Sequence, residues 1–486
     1  MSAEPDDIGR KVTRAVAWVG AASAIVAVFD ACALAILMWH WVTPTQFGVA
    51  SLAATLFYFL DLVTEAGLSS VLIQRESLDD KTLNDVFWLN LITSVAAFAL
   101  VLGLGPLVGW IQGEPIVGWM LIAYGTKLLY QNVYFIPAAL LRREMRFKEL
   151  SVVRTVANAG DGITKVVFAA MGEPVWCFVA GPLARVLITG IGLQLFRPWR
   201  PRGRPSLTGA REMLKFGFKT TGSQYLAHFY NNISHQVVGF YFGSAALGAY
   251  RVAYELVLYP INWVSNVVAQ VAFPALARLR GRPNDLAAQF LRFSRQNLAV
   301  ALPLLVLLMV GAEEIVTLVF PRVEHIEIPV RMLCVVGLLR AIDCLYLPLL
   351  DAMGFAGRNL AVAGVAAIVL ATGDIVFAST LGDSMGFTAV ALGRMVGYPI
   401  VIAVHASLAL GQLGMSAASY VRHLASIVAC GVVAVVPGFV LSYLLPPMAT
   451  GLRLAAVGGI SLLTLATLLA RFHGLSLRAI VRELRR

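Results

Sequence analysis

The chain is a succession of long, continuous apolar stretches separated by short polar breaks. The stretches lack the alternation of a half-buried strand, which marks them as helices. About 20 apolar residues of helix cross a bilayer's hydrocarbon core. Only helices or closed barrels satisfy their backbone there. The pattern predicts fourteen spans: 15–41, 46–72, 82–111, 116–141, 149–172, 174–197, 211–242, 245–277, 290–320, 328–353, 358–381, 385–411, 419–445 and 449–472. Several breaks are built from turn formers, as in Gly113-Glu114-Pro115, Gly172-Glu173-Pro174 and Pro446-Pro447. The expected fold class is an all-α polytopic membrane protein.

Composition sharpens this. Hydrophobic residues make up 59% of the chain and charged residues 13%, against about 25% charged in an average soluble domain. Soluble enzyme, secreted scaffold and disordered chain are excluded. The five cysteines (Cys32, Cys177, Cys334, Cys344 and Cys430) lie inside apolar runs without a C-x-x-C pair, so they read as small buried hydrophobes and not as disulfide or zinc ligands. No small-residue cleavage pattern follows the N-terminal segment, so the first apolar run is expected to be a retained span.

The net charge of +11 is unevenly placed. Of the 38 Lys and Arg residues, 28 lie in the termini and every second loop, while the alternate loops hold only Arg322, Arg331 and Arg453. Basic loops stay inside, so both termini are expected in the cytoplasm. The opposite face has no loop longer than roughly Pro321–Pro329. That weighs against a polymerase or ligase working from that side.

The polar run 197–206, rich in Arg and Pro, reads as a linker. Phe47-Gly48-Val49-Ala50 opens span two, and Leu247-Gly248-Ala249-Tyr250 opens span eight 200 residues later. This internal likeness predicts an N-lobe at 1–205 (spans 1–6) and a C-lobe at 206–412 (spans 7–12). Residues 413–486 then hold spans 13–14 and a basic tail. Parallel repeats of this kind are a transporter habit, with the substrate site between them.

Seven cations fall inside spans: Lys127, Arg154, Lys165, Arg185, Arg251, Arg340 and Arg394. So do the acids Asp30, Asp61, Glu65, Asp161, Glu255, Asp343, Asp351 and Asp374. Each costs about 2.5–3.5 kcal/mol at mid-membrane. Two arrangements meet that cost. One is local pairing, as the spacings Arg251–Glu255, Asp161–Lys165 and Arg340–Asp343 allow. The other is a hydrated cavity whose cations hold an anionic head group. Span seven is rich in amides and aromatics, with Gln224, Tyr225, His228, Asn231 and Asn232 the candidate sugar contacts. His228 and His235 lie seven apart but lack further ligands, so no metal is expected.

There is no G-x-x-x-x-G-K-[ST], no H-E-x-x-H and no G-x-S-x-G, hence no ATP engine and no enzyme expected. No cofactor is expected. Coupling to H⁺ or Na⁺ stays open, with Asp30, Asp61, Glu65 and Asp343 the candidate sites.

Leu72-Ile73-Gln74-Arg75, Val86-Phe87-Trp88-Leu89 and the run Ala139 to Lys148 (ALLRREMRFK) carry a resemblance. So do Ala246 to Tyr250, Tyr259-Pro260 and Phe273-Pro274-Ala275-Leu276. Together they resemble the polysaccharide-transporter branch of the lipid-linked oligosaccharide flippases. That resemblance implies the multidrug/oligosaccharidyl-lipid/polysaccharide exporter fold, two six-helix lobes in a V around a cationic cavity. It implies export of undecaprenyl-pyrophosphate-linked repeat units across a bacterial inner membrane for exopolysaccharide, capsule or O-antigen. Expected partners are that glycan lipid, anionic inner-leaflet lipids, and a polymerase and glycosyltransferases of the same pathway, with no nucleic acid. The acidic and basic residues that the family often carries near Ser234 and Phe240 are absent here. Two rival readings are a cation-coupled multidrug exporter of the same fold and, from another class, a membrane glycosyltransferase or polymerase.

Overall fold

The computed structural model describes residues 26, 29–65, 72, 79–144, 146–202, 210–446 and 448–474. Among these the chain is helical with no strand. The chain divides into two compact units, Met1–Phe240 and Tyr241–Arg486.

The first unit contains α1 (Phe29–His40), α2 (Pro44–Glu65), α3 (Asp80–Ile111), α4 (Pro115–Tyr130), α5 (Asn132–Arg143), α6 (Phe147–Ala170) and α7 (Cys177–Phe196). It also holds the first part of α8 (Ala210–Arg278). Local chemistry sets the starts: the Asp79 carboxylate accepts from the Thr82 amide at 3.1 Å, and Pro115 opens α4. Helix α6 packs on α7, and α3 and α2 pack on α4. Leu83, Val86, Leu89, Ile136 and Leu140 form a core that Phe87 and Trp199 close.

The second unit takes the rest of α8, then α9 (Pro283–Val310), α10 (Ala312–Val319), α11 (Glu327–Asp343) and α12 (Tyr346–Ala352). It ends with α13 (Ala356–Met385), α14 (Thr388–Leu410), α15 (Ala417–Leu444) and α16 (Thr450–His473). Helix α9 packs against α11, α15 and α16, and α13 lies along α14.

Nine helical stretches among the described residues are long and apolar enough to cross a bilayer. Large apolar side chains such as Trp110, Ile163, Ile191, Val432 and Leu452 stand on the outside, the pattern of a surface facing lipid. The expected break between spans seven and eight is met by Gly243, whose φ of 81° and ψ of 179° interrupt α8.

Three expected spans are not single helices. The span at 116–141 is α4 plus α5, interrupted at Gln131 ahead of Pro137. Pro137 has no N–H for the Val133 carbonyl, and Gln194 Nε2 donates to that carbonyl instead, at 2.7 Å. The span at 290–320 is α9 plus α10, separated by Gly311, against which Leu454 packs. The span at 328–353 is α11 plus α12, because Pro348 removes the donor for the Cys344 carbonyl. Asn297 Nδ2 bonds the Ala341 carbonyl there at 2.7 Å. Parts of the expected spans 15–41 and 46–72 lie outside the described residues.

Candidate functional site

Each unit carries its own cluster of in-span charges. In the first, Asp161 on α6 is 1% exposed and receives Lys165 Nζ at 3.0 Å, one turn on. Arg185 reaches it from α7 at 3.6 Å and also donates to Asn158 Oδ1 at 3.3 Å. The Tyr58 hydroxyl bonds Arg185, and Asp30 acts on it electrostatically. The carboxylate is buried, while Lys165 and Arg185 remain 21% and 30% exposed, so the cluster presents its cationic side. A Cβ on Gly181 would stand 2.3 Å from Asp161 Oδ1, so α7 reaches this carboxylate only by lacking a side chain there.

Lys127 on α4 donates to Asp61 on α2. Its ammonium lies 5.4 Å and 5.6 Å from the Phe57 and Tyr58 ring centroids, within cation–π range. The same aromatic run receives span seven: Tyr225 Oη donates to the Phe59 carbonyl at 3.2 Å, and the His228 ring meets Phe59 edge-on at 5.1 Å. Asn232 Nδ2 bonds the His228 carbonyl at 2.9 Å, and Asn231 is half-buried on the same helix. The side chains of Gln224 and Glu65 lie outside the described residues.

In the second unit, Arg340 Nη1 donates to Tyr254 Oη at 3.0 Å and its guanidinium lies 6.0 Å from the Tyr398 ring centroid. Arg251 pairs with Glu255 on α8 at 2.8 Å. Asp343 is met by His405 Nδ1 at 2.6 Å. Arg394 is 2% exposed and sealed against Asp374 at 2.8 Å, so its place is inside the helix pair α13–α14. Arg154 is exposed on α6 and makes no ion pair among the described residues. Asp30 lies on α1, half-buried.

The structure thus brings Lys165, Arg185, Asp161, Lys127, Asp61 and Tyr58 together in one unit. Residue spacing missed Asn158, Tyr58, Tyr254, Tyr398 and His405. A histidine alone in an apolar span was the available signal for His405.

The family model described as "Polysaccharide biosynthesis protein" matches residues 38–322, more than half of the chain. The chain belongs to this family. It is 25% identical to the teichuronic acid biosynthesis protein TuaB of Bacillus subtilis over 58% of its length and 59% of that protein. It is 26% identical to the lipopolysaccharide biosynthesis protein WzxC of Escherichia coli, over 61% of each chain. With the succinoglycan biosynthesis transport protein ExoT of Rhizobium meliloti it shares 27% identity, over 54% of this chain and 52% of that one. The chain therefore spans about three-fifths or less of these relatives. They are named for transport and biosynthesis, not for a catalysed reaction. In fold, the chain is similar to the lipid II flippase MurJ in an inward closed conformation. The TM-score is 0.72 at 13% identity, covering 93% of this chain and 98% of that one. An inward-facing MATE-family multidrug transporter gives a TM-score of 0.57 at 14% identity over 83% and 94%. The chain is a multi-pass membrane protein of this family, with the MurJ and MATE type of helical fold.

Proposed function

We propose that this protein flips a polyprenyl-pyrophosphate-linked oligosaccharide across the bacterial inner membrane, from the cytoplasmic side, which the basic loops mark, to the outer face. The observation that carries this reading is the Asp161 cluster. Its carboxylate is buried while Lys165 and Arg185 keep part of their cationic surface open. A pyrophosphate leaving water loses its hydration, and such donors offset that loss. Tyr225, His228, Asn231 and Asn232 offer hydrogen-bonding and stacking groups for the glycan, while the polyprenyl tail stays in lipid.

In the second unit Arg340, bonded to Tyr254, and Arg251, paired with Glu255, are the matching cations. Alternating access, the habit of repeat-built transporters, moves the head group outward. With the inside negative, the membrane potential favours outward movement of an anion by about 2.3 kcal/mol per charge per 100 mV. Proton or sodium exchange at Asp30, Asp61 or Asp343 would add to this drive.

The test is flipping of a fluorescent polyprenyl-pyrophosphate glycan in proteoliposomes by wild type, Lys165→Ala, Arg185→Ala and Arg340→Ala. Loss of flipping in inserted, folded variants supports the reading. Full activity in all three overturns it. Efflux of cationic drugs in place of glycan flipping would favour the multidrug-exporter reading.

A further inference from the structure

Helices α9, α15 and α16 meet on the side of the basic loops. There Arg295 on α9 places Nη2 3.0 Å from Nδ1 of His473, the last residue of α16. A guanidinium has no acceptor, so Nδ1 presents its lone pair and the His473 proton sits on Nε2. That Nε2 is buried, and the Ser426 main chain hydrogen-bonds the ring. His423 on α15 shares this environment and feels both Arg295 and His473 electrostatically. Arg422 immediately precedes His423 on α15, and Arg471 lies two residues before His473 on α16; both are exposed. Among the described residues, no carboxylate pairs with Arg295, Arg422 or Arg471. At the far end of α16, by contrast, Arg453 is neutralised by Glu314 at 3.0 Å.

We propose that this junction binds the phosphodiester of an anionic membrane lipid. Arg295 and the two exposed arginines on the same helix ends supply charge-assisted donors for phosphate oxygens. Val421 and Phe472, 63% and 67% exposed, adjoin Arg422 and Arg471 in the chain and offer apolar surface to acyl chains. A free phosphate shares the head-group chemistry but has no use for that apolar surface. Basic pockets between helices on the cytoplasmic side suit anionic head groups in general. The proposal goes beyond the transport reading and does not depend on it.

The experiment titrates the purified full chain in neutral detergent with dioleoyl phosphatidylglycerol, followed by native mass spectrometry. Dioleoyl phosphatidylcholine and inorganic phosphate are the comparison ligands. Near a membrane surface each basic residue contributes about 1 kcal/mol, which is roughly fivefold in affinity. Arg295→Gln should weaken the first phosphatidylglycerol site by about fivefold, and Arg422→Gln with Arg471→Gln by more, with phosphatidylcholine unchanged. The double variant alters only exposed side chains, so it carries the test if Arg295→Gln does not fold. Equal phosphatidylglycerol binding by wild type and double variant overturns the proposal. So does equal binding of the two lipids by wild type. Displacement of phosphatidylglycerol by inorganic phosphate would assign the site to a free anion instead.

Discussion

Arg394 grips Asp374 with two nitrogens: Nε lies 3.0 Å from both carboxylate oxygens, and Nη2 lies 2.8 Å from Oδ2. The grip depends on close packing of α13 against α14. A Cβ on Gly393, the residue before Arg394, would stand 2.9 Å from the carbonyl oxygen of Gly373, the residue before Asp374. Two glycines thus let the backbones approach, and the neighbouring charges close on each other out of contact with solvent.

Breaking a buried pair from one side strands the other charge and costs about 3–5 kcal/mol, whereas removing both charges together is often neutral. Arg394→Ala should therefore lower the thermal unfolding midpoint of the purified protein strongly. Asp374→Leu combined with Arg394→Met should recover most of it. A double-mutant cycle read by unfolding in detergent measures the coupling. Equal destabilisation by the single and the double changes would show that the pair is not the source.

Gln194 ties the start of the linker to the first unit. Its amide donates to the Val133 carbonyl at 2.7 Å and the Trp199 carbonyl at 3.1 Å, and accepts from the Trp199 amide at 3.0 Å. The Arg202 amide then bonds Asn84 Oδ1 at 3.0 Å. Replacing Gln194 with Ala removes the three bonds of its own amide, at about 1 kcal/mol each. Hydrogen exchange at the Trp199 amide should rise by about tenfold or more, while amides in the middle of α6 keep their protection. Unchanged exchange at Trp199 would place the anchor elsewhere.

Sequence spacing located what lies on one helix and not what crosses between helices. The pairs Asp161–Lys165 and Arg251–Glu255 follow from i,i+4 spacing, and both form. Partners distant in sequence were hidden: Lys127 takes Asp61, Arg340 takes Tyr254, and His405 takes Asp343. Each depends on which helix faces overlap, which hydropathy does not encode. Span lengths were legible for the same reason in reverse, since the bilayer imposes them on each helix alone. The interruptions at Gln131, Gly311 and Cys344 were not, because an apolar run reads as continuous through a Pro or Gly. Neighbouring side chains such as Gln194 and Asn297 satisfy the carbonyls left free there.

The cap of α3 gives a pH dependence. Hydrogen bonds from the Thr82 side chain and main chain hold the Asp79 carboxyl below the ordinary aspartate value of 3.8. A depressed acid contributes stability above the unfolded pKa and loses it as pH falls through the lower folded value. The first turn of α3 should therefore stay protected near neutrality and fray only below about pH 4. Hydrogen exchange at residues 82–84 across that range reads it. Asp79→Ala should fray the turn at every pH and abolish the dependence.

The most direct test of the charge cluster uses a residue that carries no charge. Gly181 lies against Asp161 and Lys165: a Cβ there would stand 2.3 Å from Asp161 Oδ1 and 2.7 Å from Lys165 Cγ. Overpacking of this kind costs about 1–3 kcal/mol, and the side-chain atoms nearest the new methyl are the ones that must move. Gly181→Ala should shift Asp161 away from Arg185 and reduce glycan flipping well below its effect on the amount of folded protein. Gly192→Ala, whose new methyl would press on Val153 at 2.9 Å on the same pair of helices, is the matched control. It loads the same interface seven residues along α7 from Arg185, so it should cost similar stability while leaving the Asp161 cluster in place and sparing transport. If both substitutions lower flipping in proportion to folded protein, the Asp161 cluster acts in packing alone.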